Sequence, residues 1–476
     1  MKSAQSLPRT ASVRRPSTSR ALSALSLSML LPSLSISIAN VALPTMAVAF
    51  DASFHEVQWV VLAYLLSTTT LIVGAGRLGD IAGRRRLLLG GIGLFTAATV
   101  LCGLAPDLVF LGVARALQGA GAACMMALTM AFVGETVPKN RTGSVMGLLG
   151  TMSAVGTALG PSLGGVLIAA FGWRAIFVAV APLGLLTLVL ARRVPAAAAK
   201  PPAARARFDI PGTVLLALAL GAYASAMTIG GTAFGSLSIG LLLAAGTCLA
   251  LFVLVETRIS SPLLRIALLR DPVLAAGLAT SALVSTVMMA TLVVGPFHLA
   301  RALHLDPATV GLVMSAGPAV SALIGVPAGR ATDRFGAATM VSAGLAGVIV
   351  GAGALALLPV SAGVIGYVLP LVVTTAGYAL FQAANNTAVM RDVDPGERGL
   401  VSGMLNLSRN LGLVTGASVM GSVFALAAGT SDVIGATPGQ VAEGTHVTFA
   451  VAALLATVGL AIVSCLLLTR VRQRRL

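Results

Sequence analysis

The residue with the clearest chemical potential is Arg115, a lone charge inside the apolar stretch 108–134. Gln118 follows one helical turn later, so on a helix the guanidinium and the amide share a face. A guanidinium stays charged and only donates hydrogen bonds, so its chemistry is electrostatic. Such an arginine either faces a cavity or a partner, or it satisfies buried carbonyl groups, and the residues alone leave both interpretations open.

A second set of charges recurs in two copies of one short motif. The segments "GRLGDIAG" (76–83) and "GRATDRFG" (329–336) have Gly, Arg, Asp and Gly at the same spacing, 253 residues apart. Their carboxylates can pair with guanidinium groups or with a helix N-terminus, and contacts that form in only one state act as a latch. A solvated loop that only orients the chain is the alternative. The predicted latch residues are Gly76, Arg77, Asp80, Gly83, Arg84, Arg85, Gly329, Arg330, Asp333, Arg334 and Gly336.

The elements that position these residues are predicted to be membrane-spanning helices. The chain is 57% hydrophobic and 10% charged, with a mean hydropathy of +0.97, whereas a soluble protein carries about 25% charged residues. Residues 21–50 contain no ionisable side chain, and a run of this length is too long for a strand but sufficient for a spanning helix. Runs of this kind predict fourteen spans: 21–50, 57–76, 87–106, 108–134, 142–172, 175–191, two within 210–255, 272–297, 307–329, two within 335–390, 399–429 and 446–469.

The basic residues predict the orientation of these spans. With the N-terminus in the cytoplasm, 27 of the 31 Lys and Arg residues lie on the cytoplasmic side, as the positive-inside rule requires. Arg174 and Arg301 fall outside, and Arg115 and Arg409 fall within spans. The net charge of +16 is therefore topological, which argues against nucleic acid as a partner.

The domain organisation follows from the spans and the composition of their connections. Repeated halves are typical of secondary transporters, whose substrate site lies between the repeats. The predicted order is a disordered basic cytoplasmic tail (1–20), an N-terminal six-helix bundle (21–194), an Ala/Pro/Arg-rich cytoplasmic linker (195–209), two extra helices (210–256), an interfacial amphipathic segment (257–270), a C-terminal six-helix bundle (271–470) and a cytoplasmic tail (471–476).

The sequence lacks the signatures of several other function classes. The four cysteines, Cys102, Cys124, Cys248 and Cys465, lie scattered in apolar runs without metal-ligand spacing. There is no embedded cluster of His and acidic residues, no nucleophile elbow and no ATP-binding loop of the form GxxxxGK[ST]. We therefore expect neither an enzyme nor an ATP-driven pump, and no metal or other cofactor.

Several motifs together resemble the major facilitator superfamily, and within it the 14-helix drug:proton antiporters, which export multidrug and quaternary-ammonium compounds. The segment "GRLGDIAGRRR" is similar to the superfamily's loop between helices 2 and 3, and "RALQGAGAA" (115–123) to its helix-4 motif. The segment "GTALGPSLGG" (156–165) resembles the helix-5 motif that marks antiporters, and "GWRAIF" and "NLSRNLG" also fit.

This resemblance implies the major facilitator fold with two six-helix bundles, two extra central helices and cytoplasmic termini. It implies proton coupling at Arg115 and Gln118, and a close-packed antiporter helix at Gly156, Gly160, Pro161, Gly164 and Gly165. The expected function is efflux of drugs, antibiotics or toxic metabolites by proton antiport, with antibiotic resistance as its result. We expect a monomer in the bacterial cytoplasmic (inner) membrane, which can work with accessory export proteins. Proton-coupled import or export of one neutral or anionic metabolite is the alternative.

The substrate cavity and its charge form the last expectation. Members of the resembling family carry an acid in helix 1 where this chain has Ser35, and no acidic residue falls in mid-membrane by the predicted spans. A cavity with arginine and no carboxylate favours neutral or anionic substrates. His298 and His304 fall near the outer end of the ninth span and are interpreted as surface residues. The predicted cavity residues are Ser35, Asn40, Met125, Tyr223, Met288, Gln382, Asn386, Asn406 and Arg409.

Overall fold

The fold is a bundle of helices. The computed structural model describes residues 18–136, 142–192, 209–229, 235–259, 266–357, 359–391, 393, 398–429 and 436–475, and these contain no strand. The helices are α1 (Thr18–Ala49), α2 (Phe54–Ala82), α3 (Arg84–Gly103), α4 (Leu108–Thr136), α5 (Thr142–Phe171), α6 (Ala175–Ala191), α7 (Ile210–Ile229), α8 (Ser236–Arg258), α9 (Pro272–Phe297), α10 (Pro307–Phe335), α11 (Ala337–Ala356), α12 (Gly363–Met390), α13 (Arg398–Thr415), α14 (Gly421–Ala428) and α15 (Pro438–Arg475).

Two π-helical turns interrupt the regular helices. One, His298–Ala302, follows α9, and the other, Gly416–Met420, joins α13 to α14 in one continuous segment. Pro296 lies just before the first of them and has no N–H to continue the α-helical ladder. Short 3₁₀ turns cover Ile266–Arg270 and Val360–Ala362.

The predicted all-helical membrane fold is confirmed, whereas the predicted number of fourteen spans is not. Among the described residues, twelve helical segments are long and apolar enough to cross a membrane. The shorter apolar helix α6 has 17 residues, and α2, which packs along α4, is not one of the twelve. Residues 1–17 of the predicted N-terminal tail, 195–208 of the linker and 260–265 of the interfacial segment lie outside the described residues, whereas α15 continues through residues 471–475 of the predicted C-terminal tail.

The two halves repeat their local geometry at the spacing of the sequence motif. Gly83 (φ +92°) separates α2 from α3, and Gly336 (φ +86°) separates α10 from α11. This left-handed region favours glycine, which explains why both motifs end on that residue. Asp51 (φ +48°) and His304 (φ +54°), the described non-glycine residues with positive φ, are also 253 residues apart. The repeat is therefore structural as well as sequential.

Two helices of the C-terminal half begin with a capping aspartate. The Asp271 carboxylate accepts hydrogen bonds from the N–H groups of Val273 and Leu274 at the start of α9. Asp306 does the same for the N–H groups of Ala308 and Thr309 at the start of α10. A proline follows each of these aspartates, where its fixed φ suits the first helical position.

One hydrophobic core joins the two halves, and a smaller cluster of Leu216, Leu220, Phe252 and Leu407, with Leu66 of α2 packed against it, joins α7 and α8 to α13. We call the end that carries residues 50–53 and 303–306 the first-loop end, and the end that carries Gly83 and Gly336 the second-loop end. One core at the first-loop end contains side chains from α1, α2 and α5 together with α9, α10, α12 and α14–α15. Towards the second-loop end, one cluster belongs to the N-terminal half alone and another to the C-terminal half alone.

Candidate functional site

A cavity of about 180 Å³ lies between the two halves. Its wall is contributed by α1, α2, α4 and α5 from one half and by α9, α10, α12 and α13 from the other. Hydroxyl groups, sulfur atoms and one guanidinium interrupt an otherwise aliphatic lining. The polar and sulfur-containing lining residues are Ser33, Ser37, Thr68, Met126, Ser153, Thr157, Met288, Met289, Thr291, Met314, Ser321, Thr375, Tyr378, Arg409 and Asn410.

Two of the nine predicted cavity residues line this cavity, namely Met288 and Arg409. The other seven do not. Ser35 and Asn40 are buried in α1, Met125 lies in the core of the N-terminal half, and Tyr223 is half-buried on α7. Gln382 and Asn406 are half-buried, and Asn386 is exposed.

Helix α1 faces the cavity with the serines two positions before and after the predicted Ser35. Ser33 and Ser37 line the cavity, whereas Ser35 is 2% exposed and its hydroxyl has no hydrogen-bond partner among the described residues. On a helix two residues correspond to about 200°, so Ser35 points to the opposite side. Ser33 Oγ lies 2.6 Å from Ser153 Oγ, which joins α1 to α5 at the wall of the cavity.

Arg409 provides the positive charge of the cavity. Its guanidinium is half-buried, and no described residue accepts a hydrogen bond from its buried Nε. Tyr378, which also lines the cavity, lies close enough to interact with it electrostatically. No Asp or Glu is among the described residues that line the cavity. A donor in this position is suited to an anionic or carbonyl-bearing ligand.

Arg115 lies away from this cavity and joins α4 to α1 and α2. Its side chain is fully buried, its Nε donates to Val60 O at 2.8 Å, and its Nη1 donates to Ser35 O at 3.4 Å. The guanidinium also lies over the ring of Tyr64, 4.4 Å from the ring centre. Arg115 thus satisfies carbonyl groups, as one of the two sequence interpretations states, while its Nη2 has no partner among the described residues.

Gln118 continues this network to α3. Its Oε1 accepts a hydrogen bond from Arg115 Nη1, and its Nε2 donates to Thr99 Oγ1 at 2.7 Å. Thr99 in turn donates to Phe95 O at 2.7 Å. The buried polar side chains of Arg115, Gln118 and Thr99 therefore connect four helices, α1 to α4, so a movement of Arg115 changes hydrogen bonds to all of them.

The glycines of α5 form two close contacts, one with α1 and one across the halves. A Cβ on Gly156 would lie 2.4 Å from Leu30 O, and one on Gly160 would lie 1.9 Å from Ser37 Oγ. A Cβ on Gly165 would lie 2.5 Å from Pro307 O of α10. Gly164, which faces Ile38, belongs to the contact with α1, and Pro161 offers its carbonyl to the second contact. Small residues allow the backbones to approach this closely.

The first-loop end is sealed between the halves by aromatic rings and one hydrogen bond. Phe54 of α2 lies 4.8 Å from Phe297 and 5.2 Å from Phe424, measured between ring centres. We call these three side chains the aromatic seal. Gln58 Nε2, one turn further along α2, donates to Ala417 O in the second π-helical turn at 2.9 Å. The cavity is therefore closed on this side.

The predicted latch lies at the second-loop end. The structure does not describe the side chains of Arg77 and Asp80. Arg85 donates a hydrogen bond to the carbonyl of Arg192, at the end of α6. In the second copy Arg330, Asp333 and Arg334 are exposed, and no described residue forms an ion pair with Asp333. The latch remains a prediction.

His298 is buried, so its interpretation as a surface residue is wrong. It is 1% exposed because α12 and α15 cover the π-helical turn in which it lies, which the apolar run of the ninth span could not reveal. Its ring stacks on that of Tyr367 at 5.6 Å, and its Nδ1 lies 3.1 Å from Thr445 Oγ1. His304 is exposed, as predicted.

Two carboxylates interpreted as loop groups are also buried. Asp209 and Glu256 are each 3% exposed, at the start of α7 and the end of α8. Asp209 Oδ1 accepts a hydrogen bond from Gly212 N at 2.9 Å and so caps α7. These groups lie in the two extra helices and take no part in the cavity lining.

Comparisons with known proteins agree with this architecture. The family description "Major Facilitator Superfamily" matches residues 25–417 and 276–476. The chain is 32% identical over 400 residues to the multidrug resistance protein Stp of Mycobacterium tuberculosis, covering 82% of this chain and 72% of that one. It is 29% identical over 394 residues to the riboflavin transporter RibZ of Clostridioides difficile, covering 82% and 84%.

A solved structure shares the fold. The inward-facing, unoccupied crystal structure of a bacterial homologue of the human lysosomal transporter Spinster superposes with a TM-score of 0.70. The two chains are 17% identical, and the superposition covers 94% of this chain and 96% of that one. On the family match, the relatives and the helical repeat around a central cavity, the chain belongs to the major facilitator superfamily.

Proposed function

We propose that the chain is a secondary active exporter of small organic molecules, driven by proton antiport through alternating access. The observation that carries this proposal is the cavity between the halves, which the aromatic seal and a shared core close at the first-loop end, whereas two further clusters each belong to one half alone. Alternating access needs a site of this kind, which rocking of the two repeats exposes to one side at a time. The similarity to the multidrug resistance protein Stp supports the proposal that drugs are among the exported molecules.

The proposed topology has fourteen spans, with α2 and α6 added to the twelve apolar segments and α13–α14 counted as one. Both termini and the second-loop end face the cytoplasm of a bacterium, because the basic residues gather there. The first-loop end then faces outwards, and the structure corresponds to an inward-facing state. The proposed carrier acts as a monomer in the cytoplasmic membrane, uses no cofactor, and can work with accessory export proteins.

The residues proposed to couple proton movement to transport are the ones predicted from the sequence. Arg115 and Gln118 transmit the protonation state between α1, α2, α3 and α4, through the hydrogen bonds that they already share. Asp80 and Asp333 act as the latch at the second-loop end, which closes in the outward-facing state. The exposed position of Asp333 in this state is compatible with an open latch.

Two measurements test the proposal together. The gene is expressed in a host without its own efflux pumps, and growth is measured against cationic, neutral and anionic toxic compounds. For each compound with raised tolerance, everted membrane vesicles are given a proton gradient, and its decay on adding the compound is followed with a pH-sensitive dye. Tolerance together with compound-dependent proton flux supports antiport. Unchanged tolerance to every class of compound, or accumulation of a compound in the vesicles without proton flux, would refute proton antiport.

A second candidate function, transport of one neutral or anionic metabolite, is favoured by Arg409. Its Nε is an unpartnered donor on a cavity wall without carboxylates, and the relative RibZ is named a riboflavin transporter. The same panel separates the candidates: broad tolerance that includes lipophilic cations indicates drug export, whereas a narrow response to anions indicates a metabolite. In the second case, Arg409→Gln should lower the tolerance to anionic compounds by more than tenfold. Arg409→Lys should retain part of this tolerance.

A further inference from the structure

We propose that the driving proton binds Nε2 of His298, an inference that rests on the proton antiport proposed above. Antiport needs a group that gains and loses a proton in each cycle. A guanidinium stays protonated at any physiological pH, so neither Arg115 nor Arg409 can be that group. The titrating group must therefore be found elsewhere in the chain.

Two acids near the first-loop end, Glu56 and Asp306, are poor candidates because hydrogen bonds favour their ionised form. Hydrogen bonds from the side chain and backbone of Ser53 lower the pKa of Glu56. The Thr309 hydroxyl and backbone N–H likewise lower the pKa of Asp306. Asp209, at the second-loop end, is used as the cap of α7. None of these carboxylates lines the cavity or belongs to the aromatic seal.

The hydrogen bonds around His298 leave one ring nitrogen vacant. The Thr445 hydroxyl donates its only proton to Val441 O at 2.8 Å. Its oxygen can therefore only accept from His298, which places the ring proton on Nδ1 and the lone pair on Nε2. Nε2 is buried and has no hydrogen-bond partner among the described residues. An imidazolium would make the same hydrogen bond from Nδ1, so it is burial without a described counter-charge that favours the neutral ring, whose Nε2 is then a free proton acceptor.

The surroundings of the ring contain no counter-charge for an imidazolium. From α12 it meets the stacked Tyr367 ring, whose hydroxyl is also buried without a partner. From α15 it meets Thr445, and His446 acts on it electrostatically. Arg301 follows in the same π-helical turn, and α10 brings Met314 near the preceding Gly295. Glu443 of α15 is exposed, and no described carboxylate forms a hydrogen bond with the ring.

His298 follows a member of the aromatic seal in the chain, and its ring packs against a side chain that approaches the cavity wall. It is the residue after Phe297, a member of the seal. On the other side, a Cβ on Gly295 would lie 2.4 Å from the Tyr367 hydroxyl and 3.0 Å from Met314 Sδ, and Met314 lines the cavity. Tyr367 and Met314 thus separate His298 from the cavity by about one side-chain layer. The ring can exchange a proton with either compartment, depending on which end is open.

These facts give the proton a cycle. When the first-loop end opens, water reaches Nε2, and its lone pair takes a proton from outside to form an imidazolium. Resealing buries that charge without a carboxylate partner, which is unfavourable. The proton therefore leaves Nε2 as the seal reforms and passes by the Tyr367 hydroxyl towards the cavity, which is then open to the cytoplasm. Protonation and opening of the first-loop end are linked, each favouring the other.

The experiment measures this linkage without any transported compound. Spin labels are placed on Leu104→Cys and Leu357→Cys, two exposed positions at the first-loop end, one in each half. The four native cysteines are replaced, and the full-length protein is reconstituted in lipid nanodiscs. Double electron–electron resonance then gives the ratio of open to sealed populations between pH 5.5 and 8. Three variants are compared with the parent: His298→Gln, Thr445→Val and, as a matched control, His55→Gln.

His55 is a suitable control because it is a second histidine buried beside the seal, at 7% exposure on α2. In the parent we expect the open-to-sealed ratio to rise as the pH falls, by up to tenfold per pH unit, the limit for one proton. His298→Gln should be sealed and independent of pH, and His55→Gln should follow the parent. Thr445→Val removes the acceptor of the sealed state, so its midpoint should move to higher pH with the slope unchanged.

Three results would overturn the proposal: a parent ratio that ignores pH, a pH response retained in His298→Gln, or a response lost in His55→Gln. If His298→Gln does not fold, the midpoint of Thr445→Val decides in its place, and an unchanged midpoint refutes the assignment. The outcome is separable from the export function. If the distances between the spin labels depend on pH but the protein shows no efflux, only the export function is refuted. If the protein shows efflux but these distances do not depend on pH, only the role of His298 is refuted.

Discussion

Gly311 offers the sharpest test of how the first-loop end is closed. In Gly311→Ala the new Cβ would lie 2.1 Å from Pro161 O, 2.8 Å from Gly165 Cα and 3.0 Å from Gly165 N. All three atoms belong to the backbone of α5, so no side chain can move aside, and α5 and α10 must separate by more than 1 Å to reach the ordinary contact distance of about 3.5 Å. The sealed state is therefore strained, while a state in which α5 and α10 are apart is not.

Overpacking of this kind costs about 1–3 kcal/mol, so the open-to-sealed ratio should rise roughly 5- to 150-fold. The assay uses Met288→Cys, a cavity residue, in a background without the native cysteines. Intact cells at constant pH are treated with a membrane-impermeant maleimide, which reaches this thiol only when the first-loop end is open. Gly311→Ala should be labelled faster by that factor.

The matched control lies on the same helix. A Cβ on Gly325 would meet nothing within 4 Å, so Gly325→Ala should be labelled at the parent rate. Equal rates in Gly311→Ala and the parent would show that the close approach of α5 and α10 does not hold the seal. An equal acceleration in Gly325→Ala would show that helix propensity, and not the contact, is responsible.

Three further variants test the coupling, the latch and the seal. Arg115→Ala should abolish proton-linked efflux in everted vesicles while the protein remains inserted, and parent efflux rates would remove its coupling role. Asp80→Asn should slow turnover with little change in substrate affinity, measured as separate effects on maximal rate and half-saturation, and a pure loss of affinity would contradict the latch. Gln58→Leu removes the hydrogen bond to Ala417 O, worth about 1 kcal/mol, so labelling of Met288→Cys should quicken about fivefold, and an unchanged rate would show that this bond does not hold the halves together.

The spans and the repeat could be predicted from sequence because both are written in local patterns. Length without charge identifies a spanning helix, and the pair Gly83 and Gly336 could be read as the end of a repeated motif that needs positive φ. The capping aspartates Asp271 and Asp306 were equally legible, since each stands directly before a proline.

The direction in which side chains face could not be predicted in the same way. Serines occur on more than one side of helix α1, so nothing local distinguishes Ser35 from its cavity-lining neighbours Ser33 and Ser37. Burial of His298 depends on α12 and α15, which are more than 60 residues away in sequence. Alternating serines along α1 were the one signal that could have placed a polar face, and they do not say which of the two faces it is.

The division of the hydrophobic cores also bears on how the protein is made. The N-terminal half has a cluster that includes Phe95, Phe132 and Leu149, and the C-terminal half has one that includes Val389 and Val401, and neither borrows a side chain from the other half. Membrane insertion proceeds from the N-terminus as the chain leaves the ribosome, and units with their own packing can settle first. We expect each half to settle as it is synthesised and docking through the aromatic seal to come last. A gene split between the halves should then yield two polypeptides that assemble into one carrier.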